Sequence, residues 1–98
     1  MNKNELRYKY KADFKIAQNE VNLFDPFGLI KGGAPIDEYD FLTDIILSGI
    51  YRGLLNDELI DLIVSELSLN FDVGDSLDNK HFRNRVEELI TEIKKQIN

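Results

Sequence analysis

Leu6-Arg-Tyr-Lys-Tyr-Lys-Ala-Asp-Phe-Lys-Ile-Ala-Gln-Asn-Glu-Val-Asn-Leu-Phe24 can be read in two ways, and the choice between them decides the fold. From Leu6 to Ile16 the apolar residues alternate strictly (Leu6, Tyr8, Tyr10, Ala12, Phe14, Ile16), the pattern of a half-buried strand. A second stripe, Leu6, Tyr10, Phe14, Ala17, Val21 and Phe24, advances in steps of three and four and continues past the point where the alternation stops. An edge strand over 6–16 would need a partner strand that no other segment offers, and an isolated strand is not viable. The stretch therefore predicts a helix. It ends near Phe24, because Pro26 disfavours helical geometry at Asp25 and supplies no amide hydrogen to a further turn. Residues 1–5 are expected to fray.

Outward from this helix, residues 25–36 mix three glycines and two prolines with apolar side chains, which predicts a connection that packs rather than a solvated linker. Asp37 is read as opening a second helix that runs to about Gly53 and buries Leu42, Ile45, Ile46, Gly49 and Ile50. Asn56 is read as the N-cap of a third helix, to about Asn70, with Leu59, Ile60, Ile63, Val64 and Leu67 inside. A turn-rich run at 72–79 precedes the clearest helix, from about Lys80, which buries Phe82, Val86, Leu89, Ile90, Ile93 and Ile97. Four helices joined by short connections predict an all-α, single-domain antiparallel bundle over residues 1–98.

Charge is distributed unevenly along this frame. Residues 16–78 carry thirteen carboxylates against two cations, Lys31 and Arg52, while both flanks are basic, and the whole chain of 98 residues has a net charge of −6. A field of this sign repels nucleic acid and anionic lipid and accelerates capture of basic proteins at low salt. The absence of cysteine excludes disulfides and thiolate chemistry and suits a reducing compartment. No apolar run is long enough to span a bilayer or to form a signal peptide at the amino terminus, so a cytoplasmic protein is expected.

Catalytic signatures are weak. His81 has no serine motif to activate and reads as a surface or capping residue. Asp72, Asp75 and Asp78 lack the spacing of a calcium loop and read as turn formers. Gly28, Gly32 and Gly33 are not followed by the Lys-Ser or Lys-Thr pair of a phosphate loop. Arg7, Lys9, Lys11 and Lys15, interleaved with Tyr8, Tyr10 and Phe14, form a pattern that could track a nucleic-acid strand, but the acidic middle opposes this and the aromatic residues are also core candidates. No catalytic residue, cofactor, metal, nucleic acid or membrane partner is predicted.

One motif does stand out, Phe-Asp-Pro-Phe-Gly-Leu-Ile-Lys-Gly-Gly-Ala-Pro-Ile-Asp-Glu-Tyr-Asp over residues 24–40. It resembles a signature of small bacterial helical proteins of unassigned function, Asp-Pro, Gly-Leu-Ile, a spaced Gly and Pro, then Asp-Glu-Tyr-Asp. Some similar proteins are immunity partners of secreted or contact-delivered toxins, including those of contact-dependent inhibition. The resemblance implies a helical fold and a toxin-binding role. By their own chemistry, Asp25, Pro26, Gly28, Gly33 and Pro35 read as folding devices, and Tyr39 reads as a packed ring whose hydroxyl reaches water or a backbone carbonyl.

At about 100° per residue, Asp37, Asp40, Asp44 and Tyr51 share one face of the second helix, and Asp57 and Asp61 share the polar face of the third. If the helices are neighbours, these carboxylates could form one continuous patch around an aromatic anchor, Tyr51. The expectation is an immunity protein that binds a basic toxin, a nuclease domain foremost, by charge and shape. A regulatory adaptor with an apolar groove near Phe27, Leu29 and Ile30 is the alternative, and an enzyme using carboxylates of the Asp-Glu-Tyr-Asp segment is a third reading without a defining nucleophile. Oligomeric state is not set by the sequence.

Overall fold

Asn2 determines where the first helix begins. Its Oδ1 accepts the amide of Glu5 at 2.9 Å, satisfying one of the orphan donors of the first turn. In the computed structural model, which describes residues 2–97, α1 spans Lys3–Phe24. The helical reading of 6–24 is therefore correct, whereas the fraying expected over 1–5 is not found at residues 3–5, because this cap holds them; Met1 lies outside the described residues.

The remaining helices are α2 (Asp40–Tyr51), α3 (Asn56–Asn70) and α4 (Lys80–Ile97), and the described residues form an all-α four-helix bundle. α1 packs on α2 and α4, and α3 closes the ring by packing on the same two. Direction follows from pairs at the two ends. Phe24 meets Phe82 at 5.7 Å between ring centroids and Lys94 donates to Asn56, so α4 runs antiparallel to α1 and α3, and the Gln18–Asp40 and Asp13–Tyr51 bonds set α2 antiparallel to α1. Val21, Leu42, Ile46, Leu59, Ile63, Leu67, Ile90 and Ile93 are fully buried. Each contributes about 1.5–3 kcal/mol relative to exposure. Where α2 and α3 approach, Gly49 leaves no room for a side chain, since a Cβ there would stand 2.6 Å from Leu59 Cδ1.

Two helix starts differ from expectation. Asn56 is the first residue of α3 rather than its cap; Glu58 reaches back to the amide of Leu55 at 3.0 Å, and the Asn56 side chain instead accepts Lys94. α2 begins at Asp40, not Asp37, because residues 36–39 form a tight turn in which the Glu38 amide donates to the Pro35 carbonyl at 3.1 Å. At α4, Asn79 is a cap that sequence reading missed, with its Oδ1 accepting the Phe82 amide at 2.9 Å.

The signature segment works as a folded junction. Asp25 ends α1 in the left-handed region, with φ 42°, and its carboxylate accepts the amides of Ile30 (3.1 Å) and Lys31 (3.0 Å). Tyr39, fully buried, donates its hydroxyl to the same carboxylate at 2.7 Å and accepts the Phe27 amide at 3.2 Å. Its partner is thus a carboxylate rather than the water or carbonyl expected. Gly28 (φ 69°) and Gly33 (φ 99°) supply the positive φ that the intervening loop needs. Phe27 stacks on Phe71 at 4.0 Å, tying this junction to the α3–α4 connection. Burial acts to raise the Asp25 pKa, but the Lys31 amide, the Tyr39 hydroxyl and the Ile30 and Leu29 amides outweigh it and hold the carboxyl below the usual range.

Two outcomes are expected. Tyr39→Phe strands buried partners and lowers urea-unfolding stability by about 2 kcal/mol with an unchanged m-value. Because the folded-state pKa of Asp25 is depressed, its contribution is complete above its unfolded pKa, about 3.9, and is lost as pH falls through the folded value. Asp25→Asn is therefore less stable at neutral pH and has a flatter acid limb, measured by urea midpoints from pH 7 down to about 2.

Candidate protein-binding surfaces

α1 is 22 residues long and α2 only 12, and because α2 begins beside Gln18 and its last residue, Tyr51, reaches Asp13 and Tyr10, α1 extends past α2 at both ends, including its first turns. That mismatch governs the molecule's charged surface. The buried residues of α1 are Asp13, Ala17, Gln18 and Val21, none of them in its first ten residues. Leu6, expected in the core stripe, is 50% exposed, and Tyr8 is 75% exposed; of α2 only its last residue, Tyr51, comes to the groove that Leu6 lines.

Where α2 does cover α1, the predicted acidic stripe is drawn into the contact. Gln18 Nε2 donates to Asp40 at 2.8 Å, the Tyr10 hydroxyl donates to Asp44, and the Tyr51 hydroxyl donates to Asp13 at 2.6 Å. Asp13 also takes Lys9 at 2.6 Å, so a buried carboxylate is satisfied by a cation and a hydroxyl. Tyr10 and Tyr51 meet edge to face, with centroids 5.8 Å apart. On the other side, Asp61 pairs with Arg83 of α4, which also reaches Asp78 at 3.1 Å. α2 and α3 are neighbours as assumed, yet Asp40, Asp44 and Tyr51 are bonded to α1 while Asp61 is bonded to α4. Asp37 and Asp57 are exposed and have no ion pair among the described residues. Sequence reading missed Asp13 and Gln18. Two polar residues on the path of an apolar stripe were the available signal.

These ties raise the tyrosine pKa values. Burial, with the hydrogen bond and charge of Asp44, pushes Tyr10 up to about 12. Burial, then Asp13 and Tyr10, pushes Tyr51 up as well.

The stacked Phe27 and Phe71 place segments 25–40 and 71–79 at one end of the bundle. The first holds Asp25, Asp37, Glu38 and Asp40 against Lys31, and the second holds Asp72, Asp75 and Asp78 with no cation. Asp37, Glu38, Asp72 and Asp75 are exposed there without an ion pair among the described residues. At the other end lie the basic first turns of α1 and the Lys94-Lys95 terminus of α4. Phe27, Leu29 and Ile30, candidates for an apolar groove, instead pack on the core. His81 is exposed, as expected of a surface residue. Among the described residues no helix is long and apolar enough to cross a membrane.

Raised tyrosine pKa values give stability that is intact below about pH 10, the unfolded value, and is lost as pH rises through about 12. Denaturant midpoints should therefore fall over this interval in the native chain and fall less steeply in Tyr10→Phe; a flat native profile would contradict the seam. Compared with protein-family models, curated proteins and solved structures, the chain matches none.

Proposed function

We propose that this chain is an immunity protein, a non-enzymatic cytoplasmic bundle that captures a basic toxin, foremost a nuclease domain, and occludes its active surface. The observation that carries the reading is a group of four exposed carboxylates with no ion pair among the described residues, Asp37, Glu38, Asp72 and Asp75, on the two segments that the Phe27–Phe71 contact brings to one end of the bundle. Like charges held together on a small surface repel one another, and a cationic partner relieves that repulsion. A nuclease must present cations to phosphate, so its substrate surface is complementary in sign. Capture is then steered by charge, and inhibition follows from steric occlusion.

We place the proposed contact at the acidic end rather than on the α2 stripe. Asp40, Asp44 and Tyr51 are engaged with α1, whereas Asp37, Glu38, Asp72 and Asp75 are exposed on the two segments that the Phe27–Phe71 contact joins. The resemblance of residues 24–40 to a signature of small bacterial helical proteins, some of whose relatives in pattern are immunity partners, supports the same choice, because that segment contributes to the acidic end.

The test is nucleic-acid cleavage by the cognate toxin domain with equimolar chain present. The native chain should abolish cleavage. The variant Asp37→Asn, Glu38→Gln, Asp72→Asn, Asp75→Asn should associate about tenfold more slowly at low salt and lose most of its salt dependence. Asp40→Asn with Asp44→Asn should lower stability but leave the association rate unchanged. An unchanged rate in the fourfold variant would remove the acidic end from the interface.

A further inference from the structure

The overhang of α1 leaves an open groove of ≈ 380 Å³ between its first turns and the end of α2, lined by Lys3, Leu6, Arg7, Tyr10 and Tyr51. Its floor is apolar. Both tyrosine hydroxyls are consumed by Asp44 and Asp13, so the groove presents ring and Leu6 surface, with Lys3 and Arg7 as its cationic residues. Neither cation has an ion pair among the described residues.

The complementary shape is on the same chain, at the opposite end. The 35–38 turn presents Ile36, 62% exposed, followed directly by the exposed carboxylates of Asp37 and Glu38. The turn is held in place. Asn22 Nδ2 donates to the Ile36 carbonyl at 2.8 Å, and the Glu38 amide closes on Pro35, so docking would order little additional chain. An apolar knob flanked by two acids matches an apolar groove flanked by two cations.

We infer that this chain self-associates head to tail, the Ile36-Asp37-Glu38 turn of one copy seating in the Leu6-Tyr10-Tyr51 groove of the next. A groove-to-groove dimer is excluded by sign, since it would set Lys3 and Arg7 against the same cations. The contact joins different surfaces, so it builds short chains or a closed ring rather than a two-fold dimer. The small contact and the net charge of −6 keep it weak, with dissociation on the order of 0.1–1 mM. Toxin capture at the acidic end would compete with it, because Asp37 and Glu38 serve both contacts.

Sedimentation of the full chain tests this without any toxin, so its failure leaves the immunity reading untouched. At about 50 mM NaCl the weight-average mass should rise about 1.5-fold or more as concentration approaches 1 mM, and should return to monomer at about 500 mM. Lys3→Glu with Arg7→Glu should stay monomeric, as should Asp37→Lys with Glu38→Lys. A 1:1 mixture of the two variants should associate again, since an acidic groove then meets a basic turn, which also shows that both are folded. A native chain that stays monomeric, a mixture that fails to associate, or a monomer whose Lys3 and Arg7 instead bind a single-stranded oligonucleotide would overturn the inference.

Discussion

The carboxylate of Asp25 is the constraint on which the bundle depends. It sits where α1 must stop, in a left-handed conformation disfavoured for any residue with a side chain, and it collects two loop amides and the hydroxyl of a fully buried tyrosine. Tyr39 is also the residue before α2, so one hydrogen-bonded cluster fixes the end of one helix, the path of the loop and the start of the next. Without it, a glycine-rich connection would carry too much conformational freedom to set the angle at which α2 meets α1. Phe27, held within the cluster's loop, then stacks on Phe71 and fixes the α3–α4 connection to the same end.

The placement of charge follows from this junction. Ordering residues 25–40 against 71–79 concentrates carboxylates at one end, while the length difference between α1 and α2 leaves a cationic arm at the other. The separation is partial, since Lys80, Arg83 and Arg85 at the start of α4 stand at the acidic end and Asp57 and Glu58 at the start of α3 stand at the other. The molecule's two ends are suited to partners of opposite sign. The acids of the first half of α2, Asp40 and Asp44, are used differently, accepting hydrogen bonds from Gln18 and Tyr10 across a helix contact.

The fold was legible because periodicity reports burial directly. The α4 stripe from Phe82 to Ile93 is buried as predicted, and so are Leu59, Ile60, Ile63, Val64 and Leu67 of α3. The site was less legible. A helical wheel shows which residues share a face, but not which edge of that face meets a neighbour, so Asp40 and Asp44 looked solvated and Asp13 and Gln18 went unnoticed. Leu6 followed the stripe but not the core, because burial needs a facing helix of equal length. Asp37 fell outside the helix because the wheel assumes helical geometry through a turn closed on Pro35.

Native-state amide exchange at Ile30 and Lys31, the two loop amides that Asp25 accepts, tests this account most directly. If the carboxylate organises the molecule, both amides should exchange only through the opening that also exposes α2, far more slowly than an unstructured loop. Exchange at the rate of an unfolded chain while α2 stays protected would show that the junction is an ornament of the bundle, and the account would fail at its foundation.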